Sequence, residues 1–326
     1  MRKDAVLRKI EALEELRGSL PDDATLATLA KALDDSSNHV VAKAAKLITA
    51  MQSRSLIPAL LRAYERFFEN PTVTDRQCAA KIAIARALDE LGYAEPEPFL
   101  RGLDHVQMEA SYGPPVDTGE GLRRVCALAL PRTSISDIDL LRRLVARIAD
   151  KETAVRIDAL RATGLLQCDA AELLLRLKAS LGDSDPRVTG QALASLLAVT
   201  GGRALGFVAN FLYDGDADVA MEAAAALSEA KDGAAVDALT GFYRGQFEPA
   251  AKQAVIRLIG ASPLESAARF LVELVKDGSP TTTSLWALDA LASSRFRSRL
   301  REQVEAAVRE TGSSRLLDVF RREFRD

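Results

Sequence analysis

The chain has 326 residues, 48% of them hydrophobic and 27% charged, with a formal net charge of -3 and a pI near 5.7. The apolar share allows an extensive core, and the near-neutral balance excludes a global field that would hold nucleic acid or an anionic membrane. Three widely spaced cysteines, Cys78, Cys126 and Cys168, without a CxxC pair, argue against a disulfide framework or a zinc knuckle and suit a reducing cytoplasm.

In chain order, the first segment "MRKDAVLRKIEALEELRG" places Val6, Leu7, Ile10, Leu13 and Leu16 on one helical face. It reads as an amphipathic helix and not as a leader peptide, and no apolar run is expected to reach bilayer-spanning length. Residues 1–34 are expected to form a helical pair that caps one end of the molecule. Three later segments share a pattern: "DKETAVRIDALRATGLL", "DSDPRVTGQALASLLAV" and "DGDADVAMEAAAALSEA". Each has an Asp, an apolar residue five positions on (Val155, Val188, Val219) and a small residue four further on (Ala159, Ala192, Ala223). Extended both ways, the small position falls at Ala44, Ala79, Cys126, Ala159, Ala192, Ala223, Ala254 and Ala287, with spacings of 35, 47, 33, 33, 31, 31 and 33. The Asp position reads Asp35, Asn70, Asp117, Asp150, Asp183, Asp214, Gly245, Gly278, a set suited to helix caps and turns. After each such helix comes a short break and a second apolar helix, as at 55–68, 137–149 and 169–181. The final helix, within 313–326, is expected to close the other end.

This pattern resembles the HEAT repeat, carried by Asp150, Val155-Arg156 and Ala159-Leu160 and by Asp183, Pro186, Val188 and Ala192-Leu193. The Arg of the pattern stands at Arg76, Arg123 and Arg156. The resemblance implies an all-α fold, an α-α superhelix of about nine helical pairs plus a terminal helix, forming a single solenoid over residues 1–326.

The 47-residue interval holds "HVQMEASYGPPVDTGEGLRR", whose paired prolines cannot continue a helix. Residues 106–121 therefore read as a loop inserted between repeats. Met108, Tyr112 and the prolines would offer an apolar patch, rimmed by His105, Gln107, Glu109, Arg123 and Arg124. A bland alternative, a tolerated surface loop, fits the same residues. A second candidate surface is an arginine stripe on the second helices: Arg62, Arg66, Arg142, Arg143 and Arg147. Its bland reading is a solvated face with local pairs such as Asp139–Arg143.

Enzymatic chemistry finds little support in the residues. Within the HEAT-like resemblance, a lysine hydroxylase would need paired His-Glu motifs, but only His39 and His105 exist and each precedes a valine. No GxSxG, P-loop or GxGxxG is present, Cys126 occupies an alanine slot, and Trp286 reads as core. A HEAT-like DNA glycosylase is the rival reading, but acidic residues are interleaved with the arginines, and residues 201–250 hold 3 basic and 8 acidic residues. A bilin lyase would share the fold without an identifying residue. The expectation is a monomeric, cytoplasmic, non-catalytic scaffold for an unidentified protein partner, with no cofactor, no metal, no membrane and no nucleic acid.

Overall fold

The computed structural model describes residues 2–277 and 281–324. Packing divides the chain into two compact units, Met1–Leu166 and Gln167–Asp326. Each is a stack of antiparallel helix pairs, the α-solenoid arrangement that the repeat pattern predicts.

The first unit contains α1 (Arg2–Glu14), α2 (Asp23–Leu33), α3 (Asn38–Ala50), α4 (Ile57–Arg66), the short α5 (Pro71–Thr74), α6 (Ala79–Glu90), α7 (Glu97–Leu103), α8 (Glu120–Ala129), α9 (Asp137–Ile148) and α10 (Thr153–Thr163). Helices α1, α3, α6, α8 and α10 pack in sequence as one layer, and α2 packs against α4 in the other. Between α7 and α8 the chain forms a small antiparallel hairpin of β1 (Met108–Glu109) and β2 (Val116–Asp117), with Met108 opposite Asp117 and Glu109 opposite Val116.

The second unit contains α11 (Asp169–Leu181), α12 (Pro186–Thr200), α13 (Leu205–Asn210), α14 (Ala217–Ser228), α15 (Gly233–Gly245), α16 (Pro249–Ala261), α17 (Glu265–Asp277), α18 (Thr281–Ser293), α19 (Arg297–Glu310) and α20 (Ser314–Glu323). Here α12, α14, α16, α18 and α20 stack in one layer, and α13, α15, α17 and α19 in the other. The span Pro186–Tyr213 corrects one expectation, because by length and composition it could cross a membrane. It is not one straight rod, however: Gly201 at φ 58 ends α12, and 3-10 turns lie on both sides of α13.

The repeat register explains why these helices pack so closely. Ala44, Cys126, Ala159, Ala192, Ala223 and Ala287 are each the seventh residue of their helix, and all are fully buried. A small side chain there lets the neighbouring helix approach. Ala79 and Ala254 do not follow this rule, and both are partly exposed. The true occupants are Ala85 and Val255, seventh in α6 and α16 and buried. Alanine-rich helices offer several equivalent choices, which is why the pattern slipped. With Ala85 in the slot, Ala44, Ala85 and Cys126 are spaced 41 residues apart twice. The extra length thus divides between two adjacent loops, Phe67–Cys78 and Asp104–Gly119, and is not one insertion.

The Asp position also acquires a definite role. Asp35, Asp117, Asp150, Asp183 and Asp214 each accept the backbone N–H of the residue two places on, at 2.8 to 3.1 Å. These are side-chain turns that set up the cap, and the cap residue itself follows two positions later. Asn70 does not act this way: it lies in the left-handed region, and Asp75 takes over at α6. Gly245 is the last residue of α15, and Gly278 lies outside the described residues.

Candidate functional site

The two long loops of the first unit meet, and Gln107 is where they are joined. Its side chain is almost wholly buried. The amide Oε1 accepts from Lys81 Nζ at 3.1 Å, Cys78 Sγ at 3.2 Å and, in the appropriate tautomer, His105 Nε2 at 3.0 Å. Its Nε2 donates to the Asp75 carbonyl at 2.9 Å and to Glu109 Oε1 at 2.6 Å. Its backbone N–H donates to Asp117 Oδ1, and its carbonyl accepts from Thr118 N–H at 2.8 Å. One residue therefore ties the hairpin to the segment before α6.

That segment is held in an uncommon conformation. Asn70, Gln77 and Cys78 all have φ between 47° and 59°. Side chains other than glycine enter this region at a cost and persist there only when surroundings over-determine them. The determinants here are visible. Asp75, fully buried, accepts from Ala80 and Lys81 backbone N–H groups at the start of α6, from Asn38 Nδ2 and from the Lys81 ammonium at 3.2 Å. Lys81 is equally buried, and it donates to the Phe67 carbonyl and lies 5.4 Å from the Phe68 ring centroid. Glu109 Oε1 accepts from Gln77 N–H at 2.7 Å and from Thr118 Oγ1, hydrogen bonds that hold its carboxyl below the usual range although burial pushes the other way.

Beneath the other side of the hairpin lies Arg123, also fully buried. Its guanidinium donates to Asp117 Oδ2 at 2.8 Å, to the His105 carbonyl at 3.0 Å and to Asp150 Oδ1 at 3.2 Å. Asp150 also faces Arg147, which reaches the Leu103 carbonyl at the end of α7. Burial would raise the carboxyl of Asp117, but Gln107 N–H, Arg123 and Gly119 N–H together hold it low. Burial pushes His105 down, against the hydrogen bond it donates to Gln107 Oε1, and its ring stands edge-on to Phe68 at 5.0 Å. Burial raises the thiols of Cys78 and Cys126 to about 12, so both remain protonated and unreactive near neutral pH.

The predicted site residues thus separate into three groups by burial. Gln107 and Arg123 lie under the hairpin and have no surface to present; they position it. His105, Glu109 and Arg124 are half-buried, with Arg124 donating to Asp158 at 2.7 Å. Met108 and Tyr112 are exposed, as are Val106, Val116 and the nearby Val73. The arginine stripe divides likewise. Arg66 donates to the Leu33 and Asp35 carbonyls, and Arg147 is committed to Leu103 and Asp150. Arg62, Arg142 and Arg143 are exposed. Arg142 pairs with Asp139 at 2.7 Å, and Arg143 faces Asp104, not Asp139 as its spacing suggested.

Sequence reading gave no role to Asp75, Lys81 and Asp158, and read Asp150 only as a turn or cap residue. A signal existed, since Lys81 shares a helical face with Ile84 and Leu88, and a lysine on an apolar stripe needs a buried partner. Arg76, read as the repeat's Arg, lies exposed in a 3-10 turn. Trp286 is half-buried and not core.

Each unit stacks its helix pairs in two layers. No protein-family model matches the chain, and no curated protein matches it. Solved structures similar to the chain include two complexes. One is the complex of CpcE and CpcF of phycocyanin lyase from Nostoc sp. PCC7120, at 16% identity and a TM-score of 0.39, covering 75% of this chain and 94% of that one. The other is Kap121p bound to Pho4p, at 13% identity and a TM-score of 0.42, covering 98% of this chain and 45% of that one. The chain thus spans less than half the length of Kap121p. Likenesses this distant carry no argument about activity or partner.

Proposed function

We propose that this chain is a non-catalytic scaffold that binds a protein partner through the hairpin between α7 and α8, with Arg62, Arg142 and Arg143 as an additional contact surface. One observation supports the reading above others: an exposed apolar tip rests on a buried polar foundation knit by hydrogen bonds and ion pairs. Met108, Tyr112, Val106 and Val116 face solvent from a hairpin whose base is fixed by Gln107, Asp117 and Arg123. Ordering a loop costs conformational entropy, and a tolerated surface loop needs no buried ion pair to hold it. A rigid support with an exposed tyrosine suits recognition, because an anchor held in its bound conformation loses little freedom on binding.

The test replaces Tyr112 with a photo-crosslinking phenylalanine derivative in the full chain. Irradiation in native lysate should yield one dominant protein adduct, and adding excess unlabelled wild-type chain should abolish it. Excess chain carrying Met108→Ser or Tyr112→Ser should fail to compete while keeping the wild-type melting temperature. Equal competition by all of them would overturn the reading, as would adducts formed mainly with nucleic acid.

A further inference from the structure

Away from the hairpin, the layer of α1, α3 and α6 carries a trough of about 770 Å³. One wall is α1, contributing Val6, Leu7 and Ile10; the opposite wall is α6, contributing Ile82; the floor is α3, with Ala42. The apolar face of α1 is thus unevenly used. Leu13 near its end is buried, but Val6 and Ile10 are only partly covered and Leu7 is 51% exposed. Helices pack with axes about 8–10 Å apart. The trough therefore lies over α3, between two helices that both pack against it, and a single helix can seat along it.

Charge says what kind of helix fits. Lys46 on α3 and Arg86 on α6 line the trough and are exposed, with no carboxylate partner among the described residues. Lys43 is already paired with Glu14, His39 lies at the margin, and Glu90 is the one carboxylate in the lining. Lys43 and Lys46 also border a second depression of about 450 Å³, continuing past Arg17 toward Met51; Arg17 is held by Glu14. Apolar walls with unpaired cations at the edge complement one class of ligand.

We infer that this trough binds an acidic amphipathic helix of a protein partner, its apolar face against Val6, Leu7, Ile10 and Ile82 and its flanking carboxylates against Lys46 and Arg86. This is helix-in-groove recognition, with the anchors spaced three and four residues apart. It is independent of the hairpin.

The experiment uses the full chain and a fluorescein-labelled 18-residue helical peptide, with leucines at helical spacing and glutamates flanking them. Anisotropy should show saturable binding that weakens as salt rises. A peptide with lysines in place of the glutamates should bind at least tenfold more weakly. The double variant Lys46→Glu, Arg86→Glu should lose at least tenfold affinity for the glutamate peptide and reverse the preference. Leu7→Ser, at a half-exposed position, should also weaken binding, with far-UV circular dichroism confirming that each variant remains folded. Deletion of 108–116 should change nothing here. Equal binding of the two peptides, or indifference to the double variant, would overturn the inference. It would also fall if the trough instead supported concentration-dependent dimerisation, or bound phosphatidylserine vesicles while ignoring the peptide.

Discussion

The loops that lead into α8 and α14 solve the same problem with different means. Before α14, Asp214 accepts the Asp216 N–H and Asp216 then caps the helix, all within a few exposed residues. Before α8, Asp117 makes the equivalent bond to Gly119 but is also held by buried Arg123 and by the N–H of Gln107. The first solution is local and tolerant. The second commits buried charges, which stabilise only while every partner stays in place. Comparing them shows where the fold depends on a tertiary network and where a turn residue suffices.

The largest effect should come from Arg123→Met, which leaves buried Asp117 without its cation and Asp150 with Arg147 alone. A loss of about 3–5 kcal/mol is expected by chemical denaturation, with hairpin amides losing protection from hydrogen exchange first. If Lys178→Met, which breaks a single ion pair whose side chains keep 15% and 7% exposure, cost as much, the contrast would disappear.

Next comes Gly102→Ala. A Cβ there would meet the Cys126 Sγ and Tyr64 Oη well inside van der Waals contact. Overpacking of this kind costs about 1–3 kcal/mol, and adding Cys126→Ala should recover part of it. Without any recovery, the clash would not be the cause.

Asp183→Ala should cost about 0.5–2 kcal/mol, from loss of its turn bond and its pair with Lys178. Asp150→Ala should exceed it, because Asp150 also faces Arg123 and Arg147. Equal losses measured by thermal unfolding would show the two loops to be alike after all.

Acid should act on the first unit before the second. His105 titrates below its ordinary 6.5 in the folded chain, so the unfolded chain binds the extra proton first. The stability it contributes is complete above pH 6.5 and is lost as pH falls toward its folded value. Asp117, lowered from 3.8, follows the same sign at lower pH. Melting temperature should therefore fall between pH 7 and pH 5 in the wild type and fall less in His105→Phe. The smallest effect on stability belongs to Tyr112→Ser, within about 0.5 kcal/mol for an exposed side chain, although it should abolish partner capture.

Much of the fold was legible because its determinants repeat. Six small residues share one place in their helices, and five aspartates share one hydrogen bond; a pattern carried by many units tolerates errors in two. The candidate site was legible only in outline. The prolines at 114 and 115 announced an interruption, and Met108 and Tyr112 within it lie exposed. Gln107 and Arg123 were assigned to a rim because polar residues in loops usually face water, and here the neighbouring loop covers them.

By itself, then, the sequence determined the helices, their pairing and the turns between them, since these depend on residues within one or two turns of each other. Only the tertiary structure decided that two loops share the extra length and that Lys81 and Asp75 bury their charges together. It also decided which polar side chains lie beneath the hairpin. Those outcomes depend on desolvation, which is set by whatever atoms arrive from distant parts of the chain and leaves no local signature in composition or spacing.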